Sequence, residues 1–151
     1  MDLDIRRLAD EDAELAVDVL TSLKDGGRGA PVANPDGSRA FLQDPRNVLV
    51  AALADGEPVG YAIAYVLERA DRPSPMILLY EIEVASRHRR RGIGLGLIDR
   101  VREIARSEGA YKMWVLTEWE NVAARALYRS AGGAESGDSL LIEWSEDCLD
   151  G

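Results

Sequence analysis

Between residues 47 and 69 the chain reads NVLVAALADGEPVGYAIAYVLER, two long apolar runs joined by ADGEP. An Asp-Gly pair between such runs is a strong hairpin signal and fixes strands at about 47–54 and 58–69. After the breaker DRPSP, MILLYEIEVA (76–85) is a third run, apolar enough to be central in a sheet. LDIRRL (3–8) alternates apolar and polar residues as a short strand does. Four strands in this order form a meander, and the rest of the chain must be built around it.

The helical signals fall between and after these strands. Asp10 precedes the amphipathic EDAELAVDVLTSL, which predicts an N-capped helix ending near Leu23. KDGGRGAPVANPDGS (24–38) reads as a loop, long enough to be either disordered or a functional lid. GIGLGLIDRVREIARS (92–107) spaces Ile93, Leu97, Ile98 and Val101 as a helix that starts on glycines and ends at Gly109. YKMWVLTEW (111–119) predicts a strand, Asn121 caps a helix over VAARALYRSA that Gly132 ends, and SLLIEWS (139–145) predicts a last strand. The expectation is one mixed α/β domain over residues 1–151.

Composition narrows the chemistry. With 27 acidic against 18 basic residues the formal net charge is −9, which argues against nucleic-acid binding and suits a cationic substrate. Cys148 is the sole cysteine, so neither an internal disulfide nor a metal site is expected, and a reducing compartment such as the cytoplasm fits. The start lacks a signal-peptide pattern, and no segment has the apolar length to span a bilayer.

Against this acidic background RHRRRGIGLG (87–96) runs five cationic or imidazole side chains into Gly92, Gly94 and Gly96. A strand that enters a glycine-rich turn and then a helix suits phosphate, because backbone N–H groups and the helix dipole converge there. Arg89, Arg90 and Arg91 add charge, and the glycines permit close approach and positive φ. Taken alone, the stretch reads equally well as a solvated face and a flexible turn. It is neither a P-loop nor a dinucleotide fingerprint.

Arg89-x-x-Gly92-x-Gly94 after LLYEIEV, with Asn121-x-x-Ala124-x-x-x-Tyr128 one strand later, resembles the acetyl-coenzyme A site of the GCN5-related N-acetyltransferases (GNAT). The resemblance covers nearly the whole chain. VLVAALADGEPVGYAIAYVLE, LLYEIEVASRHRRRGIGLGLID and ALYRSAGG are most similar to the small aminoglycoside 3-N-acetyltransferases of that type. One departure is Gly133, where an apolar or aromatic residue is common, and it bears on local packing. The resemblance implies a GNAT fold, a mostly antiparallel sheet of about six to seven strands flanked by about four helices. It implies acetyl-coenzyme A as donor, a small polycationic amine as acceptor, and a homodimer.

Carried onto this sequence, the resemblance gives main-chain groups of Ile82 and Val84 to the pantetheine arm, and the N–H groups of Arg89, Arg90, Arg91, Gly92, Ile93 and Gly94 to the pyrophosphate. Asn121 and Ala124 would touch the cofactor, and Tyr128 would be the general acid for the departing thiolate. Glu81 would take a proton from the substrate ammonium, and Glu83 would help hold the cation. Two apart on a strand, these carboxylates face one side; a structural pair satisfied by nearby arginines is the alternative. Glu118 and Glu120 about Trp119 read as a seat for an amino sugar or as a solvated turn. His88 reads as a loop residue and Cys148 as no nucleophile.

The expected activity is direct acetyl transfer to a primary amine of an aminoglycoside, at the 3-amino group, as in antibiotic resistance. Other acceptors, a protein N-terminus, a lysine or a polyamine, keep the enzyme class. A non-catalytic acyl-coenzyme A-binding module is a reading from another class.

Overall fold

The structure is a computed structural model that describes residues 1–23 and 33–149. Strands β1 (Leu3–Arg7), β2 (Asn47–Ala54), β3 (Glu57–Leu67) and β4 (Met76–Val84) form the expected antiparallel meander, and β5 (Lys112–Trp114) lies parallel to β4 at the edge. The hairpin joining β2 to β3 turns on Asp55 and Gly56, both with positive φ (50° and 83°), as a two-residue type I′ turn requires. Among the described residues the sheet therefore has five strands, fewer than the six to seven expected.

Two layers of helix enclose it. Leu49, Ala51, Leu53 and Tyr61 pack with Ala16 and Val19 of α1 (Ala13–Leu23) and Leu42 of α2 (Pro35–Gln43). On the opposite face Val48, Val50, Ala62, Ala64, Ile77 and Leu79 meet Ile93, Leu97, Ile98, Val101 and Ile104 of α3 (Ile93–Ser107). Half-buried Leu127 and Tyr128 bring α4 (Val122–Ser130) against this second cluster. A short α5 (Glu146–Leu149) follows.

Strand β4 is not a simple alternation. Ile63 pairs with Glu81 but its neighbour Ala64 pairs with Leu79, so Tyr80 is an extra residue, a β-bulge. Without it Glu81 and Glu83 would share a face with Ile77 and Leu79 and point under α3. Instead Ile82 and Val84 continue the α3 face, and the two carboxylates turn to the α1/α2 side.

Four expectations are corrected. Asp10 does not cap the first helix: a 3₁₀ turn, Asp10–Asp12, precedes α1, and Asp12 Oδ2 accepts the Ala9 N–H at 2.9 Å. The expected loop over 24–38 ends early, because Asn34 accepts the Gly37 N–H at 2.8 Å and Pro35 occupies the first turn of α2. Residues 24–32 of that loop lie outside the described residues. The strand expected over 111–119 is regular only at Lys112–Trp114, since β4 pairs with β5 only from Met76 to Leu78. The strand expected over 139–145 is not formed, and no backbone hydrogen bond involves residues 134–144 among the described residues.

Candidate active site

The separation of β4 from β5 beyond Leu78 opens a wedge in the sheet. The Ala85 N–H donates to Val59 O at 2.8 Å, so in an antiparallel ladder Glu83, two residues back, also bonds to β3. Ile82 and Val84 then present their N–H and C=O groups to the wedge. Val84 O accepts from Arg89 Nε at 3.3 Å, consistent with that direction.

At the wide end of the wedge lies the turn into α3. Arg90 (φ 62°) and Gly92 (φ 78°) both adopt positive φ, and Gly92 N-caps α3 without a side-chain cap. The first intrahelical bond is from the Gly96 N–H to Gly92 O. Consequently the six N–H groups from Arg90 to Leu95 have no acceptor among the described residues. Arg90 and Arg91 are exposed and make no ion pair there. Six amides, a helix N-terminus and two open guanidiniums suit a diphosphate.

The other glycines have a different purpose from the one expected. A Cβ on Gly94 would stand 3.0 Å from Leu127 Cδ2, and one on Gly96 2.5 Å from Ile5 Cδ1. Both are helical residues that let α4 and β1 close on α3. Gly133 is likewise explained: its N–H donates to Tyr128 O at 2.9 Å, and a Cβ there would lie 3.0 Å from that carbonyl.

Glu81 is half-buried and accepts a hydrogen bond from Tyr61 Oη at 2.7 Å. Burial, then this bond and the charges of Glu81 and Glu83, push the Tyr61 hydroxyl far above the usual phenol range, so it remains a donor to the carboxylate. Tyr61 has no sequence motif around it; its clue is its parity with Ile63 and Tyr65 on β3. Beside Glu81, Phe41, Tyr65 and Tyr80 pack edge to face, with centroids 6.1 Å and 5.6 Å apart. Burial raises the Tyr65 hydroxyl too, with Tyr80 and Glu81 adding to it. Tyr80 stays 61% exposed, so this aromatic row shows its end to solvent. Nearby, Ala16, Leu20, Asn34, Phe41 and Ile63 line a cavity of about 230 Å³. A shallower one of about 400 Å³, between Arg7, Asp10, Leu42 and Pro45, includes neither Glu81, Glu83 nor the aromatic row.

Glu83 meets Arg89, 3.5 Å between Oε1 and Nη2. Arg89 is therefore folded back along β4 by Glu83 and Val84 O, while Arg90 and Arg91 stay outward. Tyr128, half-buried on the inner face of α4, has its hydroxyl raised by burial and holds its proton at neutral pH. Asn121 caps α4, accepting the Ala124 N–H at 3.1 Å, which places Ala124 and Tyr128 on one helix face.

Glu118, Trp119 and Glu120 are exposed at the turn before α4. The Arg125 guanidinium stands over the Trp119 ring at 4.6 Å and also holds Glu135 with two hydrogen bonds. The indole thus already carries a cation on one face. His88 Nδ1 is buried without a hydrogen-bond partner among the described residues, and Cys148 is exposed. No described helix is long and apolar enough to cross a membrane.

Comparisons with known proteins give this geometry a context. Residues 18–132 match the model of the acetyltransferase (GNAT) family. Streptothricin acetyltransferase of Streptomyces lavendulae is 34% identical over 109 residues, 72% of this chain and 55% of that protein. The chain spans about half the length of the curated relatives it matches. A crystal structure of an aminoglycoside acetyltransferase from an uncultured soil metagenomic sample is 31% identical, with a TM-score of 0.81 over 96% of this chain and 100% of that one. The fold is also that of aminoglycoside N-acetyltransferase AAC(6′)-Iy in complex with CoA, at 24% identity and a TM-score of 0.78, covering 97% of this chain and 96% of that one.

Proposed function

This chain belongs to the acetyltransferase (GNAT) family, whose acyl donor is acetyl-coenzyme A, and on that premise we propose that it acetylates a primary amine of a polycationic aminoglycoside. One observation carries the reading: six consecutive amides without acceptors among the described residues, Arg90 to Leu95, stand where β4 leaves its neighbour and turns Ile82 and Val84 to an open wedge. We read the chain as a single acetyltransferase domain acting in the cytoplasm. When bound, the donor supplies a thioester whose carbonyl is already activated toward an amine.

The remaining roles belong to this chain. Arg90, Arg91 and the amides of Gly92, Ile93 and Gly94 would hold the diphosphate, and Arg89, tied to Glu83 and Val84 O, would brace the turn. Main-chain groups of Ile82 and Val84 would hold the pantetheine arm as an added strand is held, with Asn121 and Ala124 across the wedge. Glu81, oriented by Tyr61, takes the proton from the acceptor ammonium, because only the neutral amine is nucleophilic. Tyr128 keeps a proton at Oη for the leaving sulfur. Glu83 and the Phe41, Tyr65 and Tyr80 row offer charge and flat apolar surface to an amino sugar, and Glu118, Trp119 and Glu120 form the outer rim.

The acidic balance and the two aminoglycoside acetyltransferase folds support this acceptor class. The 3-amino group is the position implied by the sequence resemblance, and NMR of the product tests it. Thiol release from acetyl-coenzyme A, followed with gentamicin, spermidine, a basic peptide and no acceptor, tests the class. We expect release with gentamicin alone, and a fall in kcat on the order of 100-fold in Glu81→Gln with coenzyme A affinity retained. Coenzyme A binding without release under every condition, or release with the peptide alone, would overturn the reading.

A further inference from the structure

The turn before α4 is fastened from a distance. Within it the Asn121 N–H donates to Glu118 O at 3.1 Å and the Val122 N–H to Glu120 O at 2.9 Å, local bonds that reach no further than the first residue of the helix. The link that reaches further is Arg125. Its Nη1 donates to Trp119 O at 3.0 Å, and its guanidinium carbon lies 4.6 Å from the indole centroid. Nε and Nη2 donate to the two Glu135 carboxylate oxygens at 2.9 Å and 3.1 Å. With its side chain 24% exposed, Arg125 is the most sheltered of the ion-paired arginines among the described residues. One planar fork thus joins the turn, α4 and the chain beyond α4, in a geometry that a lysine cannot reproduce.

The choice of counter-charge is informative. Glu118 and Glu120 flank the indole in sequence, yet the guanidinium takes Glu135, and those two carboxylates form no ion pair among the described residues. The hydrogen bonds from Arg125 hold the Glu135 carboxyl below the usual carboxylate range, so the pair is ionised at neutral pH. An uncompensated guanidinium on one face of the ring would repel an ammonium approaching the other face, and would compete with it for the neighbouring acids. Glu135 offsets that charge. Trp119, 68% exposed, is left as a braced ring between two acids.

We propose that Arg125 is a positioning residue for the acceptor, with Glu135 as its counter-charge: together they hold the Trp119 turn so that Glu118, Glu120 and the open indole face meet a cationic amine. The inference rests on the acetyl-transfer reading above and gives the pair a part in acceptor affinity, separate from the chemistry at Glu81 and from the amide row.

Arg125→Lys keeps the charge and loses the fork. In steady-state transfer it should raise KM for gentamicin about five- to tenfold, while kcat and the calorimetric affinity for coenzyme A stay within about twofold. Glu135→Gln should raise that KM too, and more at low ionic strength than at high, where the unmatched charge is screened. The indole itself is read as the difference in emission between each protein and its Trp119→Phe form. In Arg125→Lys that difference should shift to longer wavelength and be quenched more readily by acrylamide. An unchanged KM in both variants, or a coenzyme A affinity that weakens as much as KM rises, would overturn the inference, the second because the pair would then serve α4 as a whole. Absence of thiol release by the wild type with gentamicin would instead strike the acceptor reading. The bracing is then judged by emission alone, and Trp119 emission and quenching unaltered in Arg125→Lys would overturn it whatever the acceptor.

Discussion

Among the described residues, every buried one lies at or before Ile104, and between Tyr111 and Leu149 there is none. The earlier region closes on itself: all seven residues from Val48 to Ala54 are buried between two helical layers. The later region is attached through half-buried groups: Met113 and Val115 at and just after β5, which pairs with β4, and Leu127, Tyr128 and Ala131 of the α4 region. The contrast teaches that the meander and α3 form a self-sufficient platform, while the last forty residues carry apolar and polar groups suited to contacts from outside. The candidate site sits at the seam, with Glu81 and the amide row on the platform and Asn121, Ala124 and Tyr128 on the later region.

The sharpest way to break this comparison is to cut one side chain from each region. Leu97→Ala, fully buried against the sheet, should lower unfolding stability by about 2–5 kcal/mol in denaturant titration. Leu149→Ala should change it by less than about 0.5 kcal/mol. Equal losses would erase the distinction. At the seam, Gly92→Ala forces a Cβ into the left-handed region and should lower stability by about 1–2 kcal/mol. It should also weaken coenzyme A binding in calorimetry, which a mere loss of folding free energy at low temperature would not do.

At neutral pH Tyr61→Phe has a smaller effect than Leu97→Ala, because it removes one hydrogen bond worth about 0.5–1.5 kcal/mol. Because burial and Glu81 raise the folded-state ionisation of Tyr61 above its unfolded value near 10, its contribution is fully present below that pH. It is lost as pH rises further. The wild type should therefore lose stability between about pH 10 and 12 more steeply than Tyr61→Phe, as thermal melts across that range would record.

Much of the platform was legible in the sequence. The Asp-Gly hairpin and the glycine-started helix, like the Asn121 cap in the later region, each rest on a local rule that needs no distant partner. α2 was hidden because Asn-Pro-Asp-Gly signals a turn as readily as a helix start. The inward packing of Gly94 and Gly96 depends on Leu127 and Ile5, which no spacing within the loop reveals. The strands expected over 111–119 and 139–145 had the right composition, but composition cannot supply a pairing edge. Of the candidate site, the residue types around the wedge were readable, whereas Tyr61 and the aromatic row required knowing which side of β4 the carboxylates occupy.

A clue to that side was present as a conflict: Ile77 and Leu79 share odd numbering with Glu81 and Glu83, so a regular strand would bury acids and apolar groups together. The extra residue at Tyr80 resolves it by inverting odd and even for the remainder of β4. Which groups reach the α1/α2 side beyond Tyr80 is thus decided by a count of peptide units rather than by any single side chain. Exchange of individual amino acids along β4 leaves that assignment intact, whereas losing or gaining one residue there would carry both acids to the face lined by α3 and present Ile82 and Val84 in their stead.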